Sequence, residues 1–387
     1  RGGVTRPAQA GLDPRILGPV LGLTTLGVVM VYSASSVLAA DRFGDGAYYL
    51  KRQLAWAAAG LLALWIAARV RLAWVRRLAW PLLLLAVALL ALTRVPGIAR
   101  TVGGAARWID LGGLVVQPAE FAKLALVVWL AASTGRPDPG VDRWRGLLPR
   151  LAVVVATALL VVVQPDLGTA FLLALVGVGL LFLAGARPTA LAALALAALP
   201  ALYLLVVRVP YRRARLEAFL DPFSQASGAG WQLVQSFVAF GAGGLVGRGL
   251  GEGQQKLLFL PEPHTDFVAA VIAEELGLLG FGLVVVLYAL LVARGFALAR
   301  RAPEPFAAQL AAGVALLIGV QAATNLAVVL GCVPTKGLPL PFVSYGGSAL
   351  VTLLAAAGLL LNVSALVRAP FLPRPGHLAA RQARGHA

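Results

Sequence analysis

The chain has 387 residues, of which 60% are hydrophobic and only 13% are charged, and its mean hydropathy is +0.86. A soluble domain is typically about 45–50% apolar and about 25% charged, so this composition argues strongly against a soluble globular protein. The formal net charge is +17. In a soluble chain that charge would point to nucleic acid. Here the basic residues lie between long apolar stretches, so we expect a membrane protein with no nucleic-acid partner.

In chain order, ten stretches carry few or no charges, and each is a candidate transmembrane helix. They are 16–39, 53–68, 78–93, 116–133, 151–165, 167–185, 188–207, 266–292, 306–331 and 347–366. The sequence therefore predicts an all-α polytopic integral membrane protein of about ten transmembrane helices, forming a single domain over residues 1–387. The first stretch is too long for the apolar part of a cleaved signal peptide, so we expect it to remain as the first helix.

The charges between these stretches predict the orientation in the membrane. An even number of helices places both termini on one side, and the short connections on that side carry more Lys and Arg. The positive-inside rule then makes both termini cytoplasmic, with an N-terminal tail at 1–15 and a basic C-terminal tail at 367–387. A large extracytoplasmic segment, 208–265, is predicted between the seventh and the eighth of these ten stretches. Long connections are usually functional or disordered, so we expect the functional site at this outer face.

The densest polar cluster ends this segment, where His264, Thr265 and Asp266 precede the next apolar stretch. One interpretation is that Asp266 or Thr265 caps the N-terminus of a helix. The other is that the Asp266 carboxylate lies in a partly desolvated cleft, where burial raises its pKa into the range useful for a general base.

Acids also occur within the predicted helices. Glu274 and Glu275 follow Asp266 in the same apolar stretch, where a charged side chain must face the protein interior or a watery cavity. A structural pairing and a functional role both remain open for them. Glu120 and Lys123 are spaced i,i+3, so they can meet on one helix face as an internal salt bridge.

Two predicted helix starts share one form, in which a Gln-Pro pair is followed by an acid. Proline at the first helical position with an acid behind it is ordinary helix-start chemistry. The form occurs at Pro118, ahead of Glu120, and at Pro165, ahead of Asp166.

Other residues are candidates for anion binding. The glycines between 241 and 253 would let backbone N–H groups approach a phosphate, although no nucleotide-binding motif is present and flexible interfacial backbone is the alternative. Three arginines are also candidates to bind an anionic group, namely Arg212, Arg213 and Arg215. The alternative is that their side chains only extend along the membrane interface without a specific ligand.

The last outer segment, 334–348, is rich in proline and glycine and contains Lys336 and Ser344. Irregular backbone of this kind at membrane depth lines a cavity or is buried in protein, so we expect it to share the cavity of Asp266. The single cysteine, Cys332, excludes an internal disulfide.

Five motifs in this order resemble the SEDS family of FtsW, RodA and SpoVE. They are VYSASS near the N-terminus, RWIDLGG with QPAEFAK, QPDLGTA, QQKLLFLPEPHTDFVAAVIAEELG, and PTKGLPLPFVSYGGS. The resemblance implies a ten-span peptidoglycan glycosyltransferase of the bacterial cytoplasmic (inner) membrane that polymerises lipid II into a growing glycan strand. It also implies a class B penicillin-binding protein as transpeptidase partner, together with other divisome or elongasome membrane proteins.

The same resemblance implies residue roles. Asp266 matches the catalytic acid of the family, Glu120 and Lys123 match a buried pair near the cavity, and Asp166 matches a functionally sensitive acid. The Thr335-Lys336-Gly337 form looks more like FtsW than RodA, which favours a role in cell division over elongation.

The residues fit glycosyl transfer from a lipid-linked pyrophosphate. In this hypothesis Asp266 is the general base and Lys336, Arg212 or Arg213 neutralises phosphate charge. A divalent cation, Mg or Mn, is an alternative to one of these cations, although the sequence contains no dedicated metal ligand set. Two competing functions are a lipid II flippase that uses the same cavity and a scaffold that recruits partners through its Arg-rich C-terminal tail.

Overall fold

The computed structural model describes residues 12–368 except 96, 103–104, 113 and 258, so nearly all of both predicted tails lies outside the described residues. Within these residues the chain forms helices α1 Pro14–Phe43, α2 Tyr48–Arg69, α3 Leu72–Arg77, α4 Ala79–Leu92, α5 Pro118–Thr134, α6 Trp144–Val163, α7 Leu167–Leu183, α8 Pro188–Val207, α9 Pro210–Leu220, α10 Trp231–Gly243, α11 Val268–Arg301, α12 Pro305–Val329 and α13 Gly347–Arg368. The strands are β1 Ala99–Val102, β2 Ala105–Leu111 and β3 Leu114–Val116.

Each of the ten predicted apolar stretches coincides with a helix. By length and composition, six of the described helices are suited to cross a membrane, namely α1, α6, α8, α11, α12 and α13, and α4 and α7 are shorter apolar helices. Large apolar side chains such as Leu62, Leu84 and Leu196 are exposed on the outward faces of the bundle. An apolar exterior of this extent is typical of helices that contact lipid.

Small residues let the helices approach closely. A Cβ atom added to Gly358 in α13 would lie 2.3 Å from the backbone oxygen of Leu64 in α2, and one added to Gly60 would lie 2.4 Å from Leu354. In lipid there is no hydrophobic drive between helices, so such backbone contact is a main source of their packing energy. The interior of the bundle lies along α5 and α12, whose side chains are mostly buried.

The all-α prediction misses a small antiparallel sheet between α4 and α5. The strand order is β1-β2-β3, and Ile109 in the central strand pairs with Ala99 on one side and Val116 on the other. The turn after β2 contains Gly112 at φ 70°, a conformation that favours glycine. The sheet carries Arg107 toward the start of α7, where Arg107 Nε donates to the backbone oxygen of Gln164 at 3.1 Å.

Helix α11 is broken, which contradicts the prediction of one continuous helix over 266–292. Gly277 has φ 67° and ψ −168°, a combination that is essentially restricted to glycine. The residues ahead of it, 268–275, are fully enclosed by protein, whereas Leu278 and Leu279 beyond it are exposed. The lipid-facing part of this helix therefore begins after Gly277.

The connection between α10 and α11 is tied to this break by backbone hydrogen bonds. The amides of Arg248 and Gly249 donate to the carbonyl groups of Glu274 and Glu275, each at 3.0 Å. These bonds satisfy backbone oxygens that the interrupted helix leaves without partners. The long segment 208–265 is thus partly ordered by α9, α10 and this connection.

Candidate functional site

Two segments of irregular backbone meet at one end of the bundle, next to the start of α11. The hydroxyl of Ser344 donates to the backbone oxygen of Thr265, and the amide of Tyr345 donates to that of His264 at 2.8 Å. The segment 334–346 therefore packs directly against the polar cluster that contains Asp266, as the sequence predicts.

Asn325 in α12 fixes the two segments together. Its Nδ2 donates to the backbone oxygen of Asp266 at 2.8 Å and to that of Leu338 at 2.7 Å. Asn325 is buried, so each of these bonds satisfies a carbonyl group that has little access to water. The position of Asp266 relative to the 334–346 segment depends on this amide.

The structure excludes the helix-cap interpretation of Asp266. The N-cap residue of α11 is Phe267, and no side chain accepts a capping hydrogen bond there. Among the described residues, the Asp266 carboxylate forms neither a hydrogen bond nor an ion pair. It is recessed but keeps part of its surface exposed, so it is free to accept a proton from a bound molecule.

The surroundings of Asp266 shift its proton affinity. Burial raises the pKa of the Asp266 carboxyl to about 7, with further upward contributions from the negative charges of Glu262 and Asp166. The positive charges of Arg215 and Arg107 act in the opposite direction. A carboxyl group with a pKa near 7 is well matched to general base catalysis at neutral pH.

Lys336 lies in the segment that adjoins Asp266. A Cβ atom added to the next residue, Gly337, would lie 3.0 Å from Asp266 Oδ2. The ammonium group of Lys336 is 4.1 Å from the centre of the Phe171 ring, and burial lowers the pKa of this lysine. Lys336 thus places a partly desolvated cation over Phe171, which stabilises it through a cation–π contact, in the segment that adjoins the free carboxylate.

Asp166 is the N-cap of α7, and Pro165 lies outside that helix, which corrects the placement of Pro165 at the first helical position. The Asp166 carboxylate accepts from the amide of Thr169 at 3.0 Å and from its hydroxyl at 2.9 Å. Asp166 is buried and its charge acts on Asp266, so both acids belong to one site. Pro118, in contrast, occupies the first position of α5 as predicted.

Glu120 and Lys123 form the predicted buried pair. Lys123 Nζ lies 2.7 Å from Glu120 Oε2, and both side chains are 1% exposed. The hydrogen bond of the ammonium group goes to Gln321 Oε1 at 2.7 Å, and Gln321 in turn donates to the backbone oxygen of Pro339 at 2.8 Å. The pair is therefore connected through α12 to the segment that carries Lys336.

Glu274 and Glu275 serve the structure of the glycine-rich connection. Glu275 accepts from Ser33, from Lys256 at 2.7 Å and from the amide of Gly251 at 3.0 Å. Glu274 accepts from the backbone amide of Gln254 at 2.8 Å. These contacts favour the structural interpretation of both acids. One of them occupies the amide of Gly251, which belongs to the glycine run considered for phosphate binding.

The other predicted cations have protein partners. Arg213 Nε lies 2.7 Å from Glu217 Oε1 in an exposed ion pair on α9. Arg212 donates to the hydroxyl of Tyr211 at 2.9 Å and to the backbone oxygen of Leu205 at 2.8 Å. Lys336 is therefore a better candidate for phosphate than either arginine.

His264 is enclosed by aromatic rings. The centre of its ring lies 4.5 Å from that of Tyr49 and 5.7 Å from that of Tyr345. Burial lowers the pKa of His264, so the imidazole is neutral at pH 7. Its backbone oxygen and that of Thr265 hold the 334–346 segment in place.

Sequence reasoning missed Arg107, Gln321 and Asn325. Arg107 lies in an unpredicted strand, and both amides lie in an apolar helix where nothing in the pattern marks them. For metal binding, the described residues bring no three His, Cys, Asp or Glu side chains together.

Comparison with known proteins identifies the family. The model of the cell cycle protein family of FtsW, RodA and SpoVE matches residues 15–369. A probable peptidoglycan glycosyltransferase FtsW of Geobacter sulfurreducens is 46% identical over 353 residues, which cover 91% of this chain and 95% of the relative. Stage V sporulation protein E of Bacillus subtilis is 39% identical over 345 residues, which cover 88% of this chain and 94% of the relative.

Solved structures agree with this assignment. The rod shape determining protein RodA of Thermus thermophilus superposes with a TM-score of 0.69 at 30% identity, over 94% of this chain and 99% of that one. A chain from a peptidoglycan synthase complex, described as coordinating polymerization and crosslinking, superposes with a TM-score of 0.75 at 32% identity. The match covers 93% of this chain and 99% of that one. The chain belongs to the FtsW, RodA and SpoVE family, and it is a membrane protein.

Proposed function

We propose that this chain is a peptidoglycan glycosyltransferase that polymerises lipid II at the outer face of the bacterial cytoplasmic membrane during cell division. The observation that carries the proposal is the Asp266 carboxylate. It is recessed, it has no hydrogen-bond or ion-pair partner among the described residues, and its pKa is raised to about 7. The 46% identity to a relative named FtsW, against 30% to RodA, supports division over elongation.

The proposed reaction is a single displacement at the donor sugar. The acceptor hydroxyl oxygen attacks the anomeric carbon, and its proton passes to an Asp266 carboxylate oxygen. The bond from that carbon to the pyrophosphate oxygen breaks, and the lipid pyrophosphate leaves with the electron pair. Inversion at the anomeric carbon follows, and no second carboxylate is needed as a nucleophile.

Lys336 is placed to assist the leaving group. It belongs to the segment that adjoins Asp266, and its ammonium group lies over Phe171 and has no carboxylate partner among the described residues. Negative charge grows on the pyrophosphate as the bond breaks, and a preorganised cation stabilises that charge most strongly where water is excluded.

A divalent cation, Mg or Mn, is the alternative to this lysine in the proposed reaction. Asp166 and Asp266 repel each other, since the charge of Asp166 raises the pKa of Asp266, and a cation would relieve this repulsion. Mg²⁺ is commonly held by one or two carboxylates together with phosphate oxygens of the substrate. Such an ion would supply neutralisation of pyrophosphate charge.

The proposed topology has ten transmembrane helices, with both termini and both tails in the cytoplasm and the segment 208–265 outside. The coincidence of every predicted stretch with a helix supports it. This topology puts Asp266 at the outer face, where lipid-linked disaccharides are polymerised.

We also propose a class B penicillin-binding protein as partner, because the product strand must be crosslinked. The resemblance to a chain from a synthase complex that couples polymerization to crosslinking supports this partner. Other divisome membrane proteins would contact the same assembly.

The decisive experiment compares purified wild type with Asp266→Asn on labelled lipid II, with and without the transpeptidase. Asn cannot accept the proton, so polymerisation should fall on the order of 10²–10⁴-fold. The control is Glu252→Gln, which removes an exposed acid from the same outer segment. An Asn variant that polymerises at the normal rate would remove Asp266 from the mechanism.

The same assay separates a polymerase from a flippase. A flippase moves labelled lipid II across a vesicle membrane and forms no glycan, whether or not the transpeptidase is present. Glycan strands made by the wild type and lost in Asp266→Asn would support the polymerase.

A further inference from the structure

A cavity of about 520 Å³ lies between α4, α5 and α6, and the proposed reaction does not use it. Its lining includes three arginines, Arg76, Arg136 and Arg150, and two tryptophans, Trp80 and Trp129. The two indole rings meet edge to face with their centres 5.2 Å apart. Its volume is in the range of small-molecule sites.

The cavity lies at the opposite end of the bundle from Asp266. Helix α5 begins next to the site, where the amide of Gln117 donates to the Ser348 hydroxyl at 3.0 Å. It ends at Thr134, close to the cavity, and its 17 residues span about 25 Å. In the proposed topology this end faces the cytoplasm.

Exposed tryptophans mark the membrane interface at the level of the cavity. Trp65, Trp74, Trp80 and Trp144 are each about half exposed. They lie near the end of α2, in α3, and at the starts of α4 and α6, which all belong to the cavity end of the bundle. Tryptophan is enriched where lipid head groups meet the hydrocarbon, so the cavity opens at head-group depth.

The positive charge in the cavity is not neutralised by the protein. Among the described residues, none of the three lining arginines forms an ion pair with a carboxylate. Arg150 donates to the backbone oxygens of Gly146 at 2.6 Å and Ser133 at 2.8 Å, and its Nε has no partner although it is buried. Arg136 and Arg150 also repel each other.

We propose that this cavity binds the phosphate of an anionic phospholipid of the cytoplasmic leaflet. A phosphate group would neutralise the clustered guanidinium groups with charge-assisted hydrogen bonds. The acyl chains would lie along the exposed apolar side chains of α4 and α6, such as Leu84 and Leu148. Free phosphate would satisfy the arginines but would leave this apolar surface and the tryptophans unused.

The test uses the full chain, purified in detergent and examined by native mass spectrometry with phosphatidylglycerol, phosphatidylcholine of the same acyl chains, or inorganic phosphate. The cavity variant combines Arg76→Gln with Arg136→Gln. The matched control combines Arg71→Gln with Arg145→Gln, which removes the same charge from exposed positions at the same end outside the cavity lining. Thermal melting establishes that both variants are folded.

We expect wild type to retain phosphatidylglycerol in preference to phosphatidylcholine. The cavity variant should bind it roughly 30-fold more weakly, because each guanidinium group that contacts the lipid phosphate contributes about fivefold. The control should stay close to wild type. Equal losses in both variants, no preference between the two lipids, or equally tight binding of inorganic phosphate would each overturn the proposal.

Discussion

Among the residues around Asp266, Glu262 offers a way to change the proton affinity of the carboxyl group without touching it. Its side chain is exposed, and its negative charge raises the pKa of Asp266. In Glu262→Gln this contribution is lost, so the pKa of Asp266 falls below about 7. A base works only when deprotonated, and the acid limb of the pH–rate profile should therefore move to lower pH.

The measurement is the rate of lipid II polymerisation between pH 5 and 9. Glu252→Gln serves as control, because Glu252 does not contribute to the pKa of Asp266. If the acid limb of Glu262→Gln coincides with that of wild type, the limb belongs to another group.

The buried pair of Glu120 and Lys123 allows a second test at the scale of single residues. Glu120→Ala leaves Lys123 as an unpaired charge in the interior, and Lys123→Ala does the same to Glu120. Each single change should destabilise the protein by about 3–5 kcal/mol, whereas the double change leaves no buried charge and should cost clearly less than the sum. A reciprocal exchange of the two residues should cost less than either single change. Unfolding in detergent measures these costs, and strictly additive costs would contradict the pairing.

Sequence reasoning located the charged residues of the site but not the amides that position them. A charge within an apolar stretch requires an explanation, which marks Glu120 and Lys123. Asp266 stands out in the polar cluster that ends the long outer segment, and Lys336 in the outer segment rich in proline and glycine. Asn325 has no such signal, since a neutral amide in a helix is compatible with many environments. Its role follows only from the two backbone oxygens that the fold brings to it.

At the scale of single elements, the break in α11 should be sensitive to one added methyl group. Ala at position 277 would adopt φ 67° only with strain, and its Cβ atom would lie 2.3 Å from the amide nitrogen of Gly247. Gly277→Ala should therefore destabilise the protein by more than the ~1–3 kcal/mol typical of a strained residue alone. It should also reduce activity, because the first part of α11 follows Asp266.

Gly282→Ala is the matched control for this change. It lies in the same helix, and its added Cβ atom would meet nothing within 4 Å. Alanine is favoured over glycine in a helix interior by about 1 kcal/mol, so this variant should be unchanged or slightly more stable. Equal melting temperatures for both variants would mean that the break at Gly277 is not required.

The helices were predictable, whereas the break and the sheet were not. Apolar length predicts each long helix, because the lipid demands that the backbone satisfy its own hydrogen bonds. Gly277 lies between Leu276 and Leu278 at the start of the apolar run that follows Glu275, and nothing in this pattern indicates that its φ is positive. The strands β1 to β3 are short, and their pairing depends on contacts between segments rather than on composition.

At the scale of the whole molecule, the bundle defines two ends, and only charge and chemistry assign them to sides of the membrane. The end with Asp266 also carries the long segment 208–265, and the other end carries the arginine-lined cavity and the exposed tryptophans. In the proposed topology, the asymmetry of the basic residues between short connections orients the bundle with the cavity inside. That orientation would place the free carboxylate and the proposed anionic-lipid site on opposite leaflets.

Cysteine labelling tests the orientation directly, because the chain contains one cysteine, the exposed Cys332. On a Cys332→Ser background, Ser224→Cys places an exposed thiol in the 208–265 segment and Arg145→Cys places one at the opposite end. A membrane-impermeant maleimide should label the thiol at 224 in intact spheroplasts and the thiol at 145 only after the membrane is opened. The reverse pattern would put Asp266 on the cytoplasmic side, where it could not act on lipid II presented at the outer face. Such a result would contradict the proposed topology even if Asp266→Asn abolished polymerisation in detergent, since that assay has no sidedness.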